Sequence, residues 1–285
     1  MHIYLMTDLE GVAGVQNALE WTRPGQPYYP LSRQLLTHEV NAAVEGFLAG
    51  GATAVLVVDG HGPGAVDIQD LDSRARFMRG WPQGWPLGLE EGGYDAVAWV
   101  GQHAMSRTPF ANMAHTQSFG YLEMSVNGTA IGEFGQLALC AGQLGVPSIF
   151  GAGDRAFTAE AEALVPGIHT VAVKRGTRPG RGDECTATAY QERNGSAIHL
   201  QPRQACERIR AGAAAAVRRF LEAPFGLASM APPFRRTVVM RATDDAPRRY
   251  AADEHATEVA PLMHVDAAAL RPVEDEAHLR TLLVD

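Results

Sequence analysis

The opening of the chain restricts the fold most. Residues 2–7 carry the unbroken apolar run Ile3-Tyr4-Leu5-Met6, without the alternation of a half-exposed strand. Such runs belong to strands covered on both faces. Helical periodicity starts near Ser32, where Leu36, Val40, Ala43, Phe47 and Leu48 fall on one stripe and Gly50-Gly51 supplies a stop. A second apolar run, residues 54–58, follows at once. Strand, helix and strand within residues 2–58 make a βαβ unit, which needs a parallel sheet with helices laid over it.

The pattern continues. A third apolar run at 96–100 ends in Gly101-Gln102-His103. Residues 121–131 read as a hairpin turning at Asn127-Gly128. Helices are expected at 132–142 and 158–164, and strands at 147–151 and 171–173, while 11–31 and 175–198 read as loops. A long helix at 202–221 is followed by Pro224 and Pro232-Pro233, a linker signal. Residues 237–285 read as a strand at 237–240, two helical stretches and a strand-like segment at 262–265. The expected class is α/β: a predominantly parallel three-layer sheet domain over 1–200 and a second, smaller α+β domain over 201–285. The smaller domain is expected to help form the active-site cleft and an oligomer interface.

Composition narrows the partners. The 285 residues suffice to bury a sizeable core. A net charge of −8 argues against nucleic acid or an anionic membrane as partner. The basic clusters at 174–181 and Arg235-Arg236 are short and read as solvated loops. The apolar start meets charge at Asp8, without the basic start and longer apolar core of an export signal. No run approaches the ~18 apolar residues of a membrane span. Cys140, Cys185 and Cys206 are odd in number and widely spaced, which fits neither a disulfide framework nor a zinc-type pair. The expected location is a reducing cytoplasm.

Chemistry concentrates where the strands end, because ligands of open α/β sheets bind beyond the carboxyl ends of the strands. The first strand ends Asp8-Leu9-Glu10-Gly11, the second Asp59-Gly60-His61-Gly62, the third Gly101-Gln102-His103. Residues two apart on an extended chain share a face, so Asp8 and Glu10 can converge. Each pair or histidine alone reads equally as a solvated cap or a structural residue. Three such ends delivered to one sheet edge point to a metal site. Carboxylates and imidazoles suit Zn²⁺, Mn²⁺ or Co²⁺, and carboxylates can bridge two ions. Two ions need a further ligand. Glu133, in Gly132-Glu133-Phe134-Gly135, is a candidate, and it reads as well as a carboxylate placed at a helix N-terminus. His115 is a candidate general acid or base, or a loop histidine. Asp59 could orient an imidazole or cap the strand end. The chain has no P-loop, no His-Glu-x-x-His and no Gly-x-Ser-x-Gly, and the glycines of 60–64 do not form a dinucleotide fingerprint.

These motifs together resemble one family. Tyr4-Leu5-Met6-Thr7-Asp8-Leu9-Glu10-Gly11-Val12-Ala13-Gly14 is similar to the start of the zinc-dependent D-aminopeptidases encoded with dipeptide-transport genes. The resemblance continues in Val58-Asp59-Gly60-His61-Gly62, Gly101-Gln102-His103-Ala104-Met105, Thr108-Pro109, Met113-Ala114-His115-Thr116 and Asn127-Gly128. It extends through Ile131-Gly132-Glu133-Phe134-Gly135, Gly153-Asp154-Arg155 and Val173-Lys174, and more loosely to the C-terminus. It implies two zinc ions per subunit, with Mn²⁺ or Co²⁺ as substitutes, held by Asp8, Glu10, His61, His103 and Glu133, with Asp8 bridging and His115 catalytic. It implies release of N-terminal D-amino acids from short peptides by metal-activated water, in a homodecamer built from pentameric rings. Two features depart from the family: Phe110 stands where glycine is frequent, and residues 178–199 are longer than usual. Two other readings remain open. One is a metal-dependent amidase or esterase acting on another small molecule. The other is a non-catalytic peptide-binding partner of a dipeptide transporter.

Overall fold

A computed structural model describes residues 1–80 and 84–284. The chain runs β1 (His2–Thr7), α1 (Ala18–Trp21), α2 (Tyr29–Gly50), β2 (Ala54–Asp59), β3 (Arg76–Met78), β4 (Ala96–Gln102), β5 (Tyr121–Val126) and β6 (Thr129–Ala130). It continues α3 (Glu133–Gln143), β7 (Ser148–Asp154), α4 (Arg155–Leu164), β8 (His169–Gly176), α5 (Ala187–Arg193), β9 (Ala197–His199) and α6 (Pro202–Glu222). The last elements are β10 (Phe234–Met240), β11 (Arg249–His255), β12 (Arg271–Pro272) and α7 (Glu276–Leu282).

Seven strands form the main sheet in the order β3-β2-β1-β4-β7-β8-β9. All pairings are parallel except β8 with β9 at the edge. The pleat sends alternate side chains to opposite faces. Ile3 and Leu5 of β1 therefore enter a core with Leu36, Val40 and Phe47 of α2 and Ile209 and Ala213 of α6. Tyr4 and Met6 enter a second core with Phe134 and Leu137 of α3 and Phe157 of α4. The result is the three-layer, mostly parallel architecture expected from the sequence. Small residues let α2 and α6 meet closely: a side chain at Gly46 would overlap the Arg210 carbonyl, and one at Gly50 would crowd that of Ala214.

A five-stranded sheet, β12-β11-β10-β5-β6, forms the smaller unit, with antiparallel pairings. It departs from the expected boundary at residue 200. The hairpin at 121–130 pairs with β10, so the smaller sheet recruits a segment from mid-chain. Helix α6, assigned to the smaller unit from the sequence, packs instead into the core of the main sheet. Residues 262–265 are not a strand: a 3₁₀ turn covers Ala260–Met263, and Pro261 lacks the N–H a ladder needs. The segment 175–198 is not all loop, since it holds α5 and the start of the edge strand β9. The loop at 11–31 holds α1, and α2 begins at Tyr29, ahead of Ser32.

The order of the main sheet locates the crevice. After β1 the chain steps outward through β2 and β3, then returns to place β4 on the other side of β1. This reversal opens a cleft beyond the carboxyl ends of β1 and β4.

Candidate metal centre

Asp8 follows β1, His61 follows β2, His103 follows β4, and Glu133 is the first residue of α3. Backbone contacts clasp these ends together. Asp8 N donates to Val100 O and Gly11 N to Gly101 O, at 3.0 and 2.7 Å. Gly101 sits at φ +78°, a conformation that favours glycine, and an added Cβ there would overlap the Asp8 carbonyl. Residue type at this turn thus sets how close the first carboxylate comes to His103.

The five expected ligands converge. Asp8 Oδ1 lies 3.3 Å from His61 Nδ1, and Asp8 Oδ2 lies 3.1 Å from His103 Nε2. Glu10 Oε2 is 3.2 Å from His61 Nδ1, and Glu133 Oε1 is 3.6 Å from His103 Nε2. Asp8 stands between two half-sites, one with Glu10 and His61 and one with His103 and Glu133. His115 joins the second: its Nε2 is 3.6 Å from Glu133 Oε1, and its ring stacks on His103 with centroids 4.0 Å apart. Asp8, Glu10, His61, His103 and His115 are buried.

Backbone carbonyls orient each imidazole. His61 Nε2 donates to Thr22 O at 2.7 Å, His103 Nδ1 to Ala104 O at 2.9 Å, and His115 Nδ1 to Met113 O at 2.8 Å. A carbonyl can only accept, so those nitrogens carry the protons. The opposite nitrogen of each ring faces carboxylate oxygens. When the rings are neutral this sets lone pairs against lone pairs, and the arrangement needs a cation between them. Within this ligand set, the buried atoms Glu10 Oε2 and His103 Nε2 lack a hydrogen-bond partner. Both are close to an opposite group but off the line a hydrogen bond requires. The donor set fits a borderline metal such as zinc.

Electrostatics in the metal-free protein agree. Burial disfavours a charged His61, yet the Glu10 and Asp8 carboxylates hold it well above the usual imidazole range. Burial likewise disfavours a charged His103, and Glu133 and Asp8 overcome it. Burial would raise Glu133, but His103 and His115 draw it down to about 2. Protons and a divalent cation therefore compete for the same ring nitrogens, so cation affinity weakens as pH falls. His115 behaves differently: burial and then the charge on His103 lower it.

Asp59 does not orient His61. Its carboxylate accepts Ala65 N at 3.1 and 3.0 Å and Val66 N at 3.3 Å, which folds the loop carrying His61. Arg79 completes that loop by donating to Asp59 O and His61 O, each at 2.8 Å. The carbonyl of Thr22 takes the role expected of Asp59. Residues not assigned a role from the sequence also contribute. Gln102 Nε2 donates to Asp8 Oδ2 at 3.2 Å, and Gln117 N to Glu133 Oε1 at 2.7 Å. Glu160 accepts Met105 N at 2.7 Å and Gly132 N at 3.2 Å, joining the loop after His103 to the residue before Glu133. Burial pushes Glu160 up to about 7 against those two donors.

The loop between His103 and β5 carries unusual backbone. Arg107, Phe110, Met113 and Gln117 all have φ between +52° and +66°. Non-glycine residues hold such conformations at a cost, and they concentrate at functional sites. Phe110 has φ +56°, a conformation that glycine adopts without the steric cost a side chain brings. Its N–H donates to Arg178 O at 2.8 Å, so the two departures noted in the sequence touch each other.

Asp8, Glu10, His61, His115 and Glu133 line a cleft of about 820 Å³. Trp99, Leu137 and Phe119 add apolar wall; Gln117, Thr188, Gln191 and Arg23 add polar wall.

The family profile described as Peptidase M55, D-aminopeptidase, matches residues 1–257. The chain belongs to this family. A D-aminopeptidase of Bacillus subtilis (strain 168) is 31% identical over 179 residues, which are 61% of this chain and 64% of that protein. The match thus spans less than two thirds of that relative. A solved structure, the Zn-dependent D-aminopeptidase DppA from Bacillus subtilis, described as a self-compartmentalizing protease, superposes with a TM-score of 0.76 at 20% identity. It covers 92% of this chain and 94% of that one, so the M55 chain shares its fold.

Proposed function

We propose that this M55 chain is a binuclear zinc aminopeptidase that releases N-terminal D-amino acids from short peptides. The observation that carries the reading is the position of Asp8, with one oxygen toward His61 and the other toward His103. Asp8 would bridge two ions. Glu10 and His61 would complete one half-site, and His103 and Glu133 the other. When bound, zinc supplies a Lewis acid for the scissile carbonyl and makes water acidic enough to ionise at about pH 7.

The chain's own residues do the rest. The substrate's free, deprotonated amine would bind at the metal centre and so set which end of the peptide enters. His115 has its Nδ1 proton committed to Met113 O and turns Nε2 toward Glu133. Neutral at rest, it can accept a proton at Nε2 and deliver it to the departing amine. His103 on one side, with Phe119 at 4.6 Å between centroids, fixes the ring plane. Trp99, Leu137 and Phe119 give the substrate side chain an apolar wall and exclude water.

The name of the structural relative supports assembly, and we take the M55 chain to form a homodecamer of pentameric rings. Among the described residues, no helix is long and apolar enough to cross a membrane. The three cysteines are free, which supports a cytoplasmic location.

The test is a panel of D-Ala-D-Ala, L-Ala-L-Ala, D-alaninamide and simple esters. D-Ala-D-Ala and D-alaninamide should be cleaved at least tenfold faster than the L-peptide or the esters. Preferred cleavage of esters would favour the esterase reading, and peptide binding without cleavage would favour a transporter partner.

A further inference from the structure

On the reading above, the metal centre would take the amino end and the scissile carbonyl of a peptide, which leaves its C-terminal carboxylate without a partner. Among the described residues that line the cleft, Arg23 is the sole lysine or arginine. Neighbouring arginines are committed elsewhere. Arg79 is spent on the carbonyls of Asp59, His61 and Gly62, and Arg107 on Asp183 and Glu123. Arg23 bonds through its backbone alone among the described residues: its N donates to Gln26 Oε1 at 2.8 Å, and its carbonyl accepts Gln26 N. Arg23 is exposed and lines the cleft, so its guanidinium is available to a ligand there.

Its backbone is fixed at the metal centre. Gln26 Oε1 also accepts Thr22 N at 2.6 Å, and Gln26 Nε2 donates to Ala18 O at 2.9 Å. The Thr22 carbonyl takes the His61 Nε2 proton at 2.7 Å. Covalent geometry then puts Arg23 N within about 5 Å of that ring nitrogen. One glutamine side chain thus locks both the carbonyl that orients a metal ligand and the residue bearing the cation.

We propose that Arg23 binds the free C-terminal carboxylate of the substrate, which makes the enzyme select peptides short enough to reach from the metal centre to this residue. A guanidinium suits the task because it meets a carboxylate with two parallel N–H donors. The inference rests on the aminopeptidase reading above. Arg23 is exposed and outside both cores, so its replacement leaves the fold intact.

The experiment compares D-Ala-D-Ala with its C-terminal amide on the zinc-loaded enzyme. The scissile bond is the same in both, and only one carries a carboxylate. For Arg23→Ala, KM on D-Ala-D-Ala should rise about tenfold or more with kcat within about twofold, as loss of uniform binding requires. KM on the amide should stay within about twofold, and Arg23→Lys should recover part of the loss. Equal loss on both substrates, or no change on either, overturns the assignment, as does a wild-type enzyme indifferent to amidation. If the wild type cleaves neither substrate, the aminopeptidase reading itself fails and this inference with it.

Discussion

His115 shows how a residue's role follows from its surroundings. One ring nitrogen is tied to a backbone carbonyl, the other faces Glu133, and burial with the neighbouring His103 disfavours its charged form. That combination suits a proton carrier better than a sixth histidine-or-carboxylate ligand in an already complete set. His115→Ala should keep its zinc, measured by elemental analysis, while kcat falls by about 10² to 10⁴. A variant that loses zinc in step with activity would make His115 a ligand. The sequence disclosed these residues unevenly. Asp8, Glu10, His61 and His103 stand at strand ends, where position adds to residue type. Glu133 and His115 were ambiguous until the family resemblance, because a helix-start carboxylate and a loop histidine are common. Thr22 and Glu160 carried no signal at all. A main-chain carbonyl can come from any residue type, and Glu160 lies on an ordinary helix, 27 residues beyond the glutamate it supports.

Among elements, the parallel strands were legible and the smaller sheet was not. Strands β1, β2, β4 and β7 are covered on both faces, so their composition alone announces them. Strand β11, Arg-Tyr-Ala-Ala-Asp-Glu-His, lacks the long apolar run of a strand covered on both faces: β10 and β12 hold its two edges, and only Ala251 of it is buried. The pairing of β5 with β10 links residues far apart in the chain, and local pattern cannot report it. The clasp between the ends of β1 and β4 gives an element-scale prediction. Gly101→Ala puts a Cβ into the Asp8 carbonyl at a left-handed φ. It should lower stability by about 1–3 kcal/mol and displace Asp8 from His103. Thermal unfolding and zinc content report the two effects separately, and native values for both would show that the clasp is dispensable.

At the scale of the molecule, the sheet order creates one crevice and the loops beyond β1, β2 and β4 fill it with ligands. The smaller unit contributes to the same region: Gln136 Nε2 donates to Met263 O at 3.2 Å, and its Oε1 accepts Gln117 Nε2 at 2.9 Å, behind the amide that holds Glu133. The expected partition at residue 200 separated parts that the fold interleaves. The central claim is that this crevice is a two-zinc hydrolytic site centred on Asp8. The most direct measurement strips the protein of metal with a chelator and titrates zinc back while following D-Ala-D-Ala hydrolysis. Activity should be absent at the start and reach its plateau at about two zinc ions per chain. Asp8→Ala should bind neither ion tightly, because the bridging carboxylate serves both. Undiminished hydrolysis by the metal-free protein, or a plateau unaffected by loss of Asp8, would contradict the account.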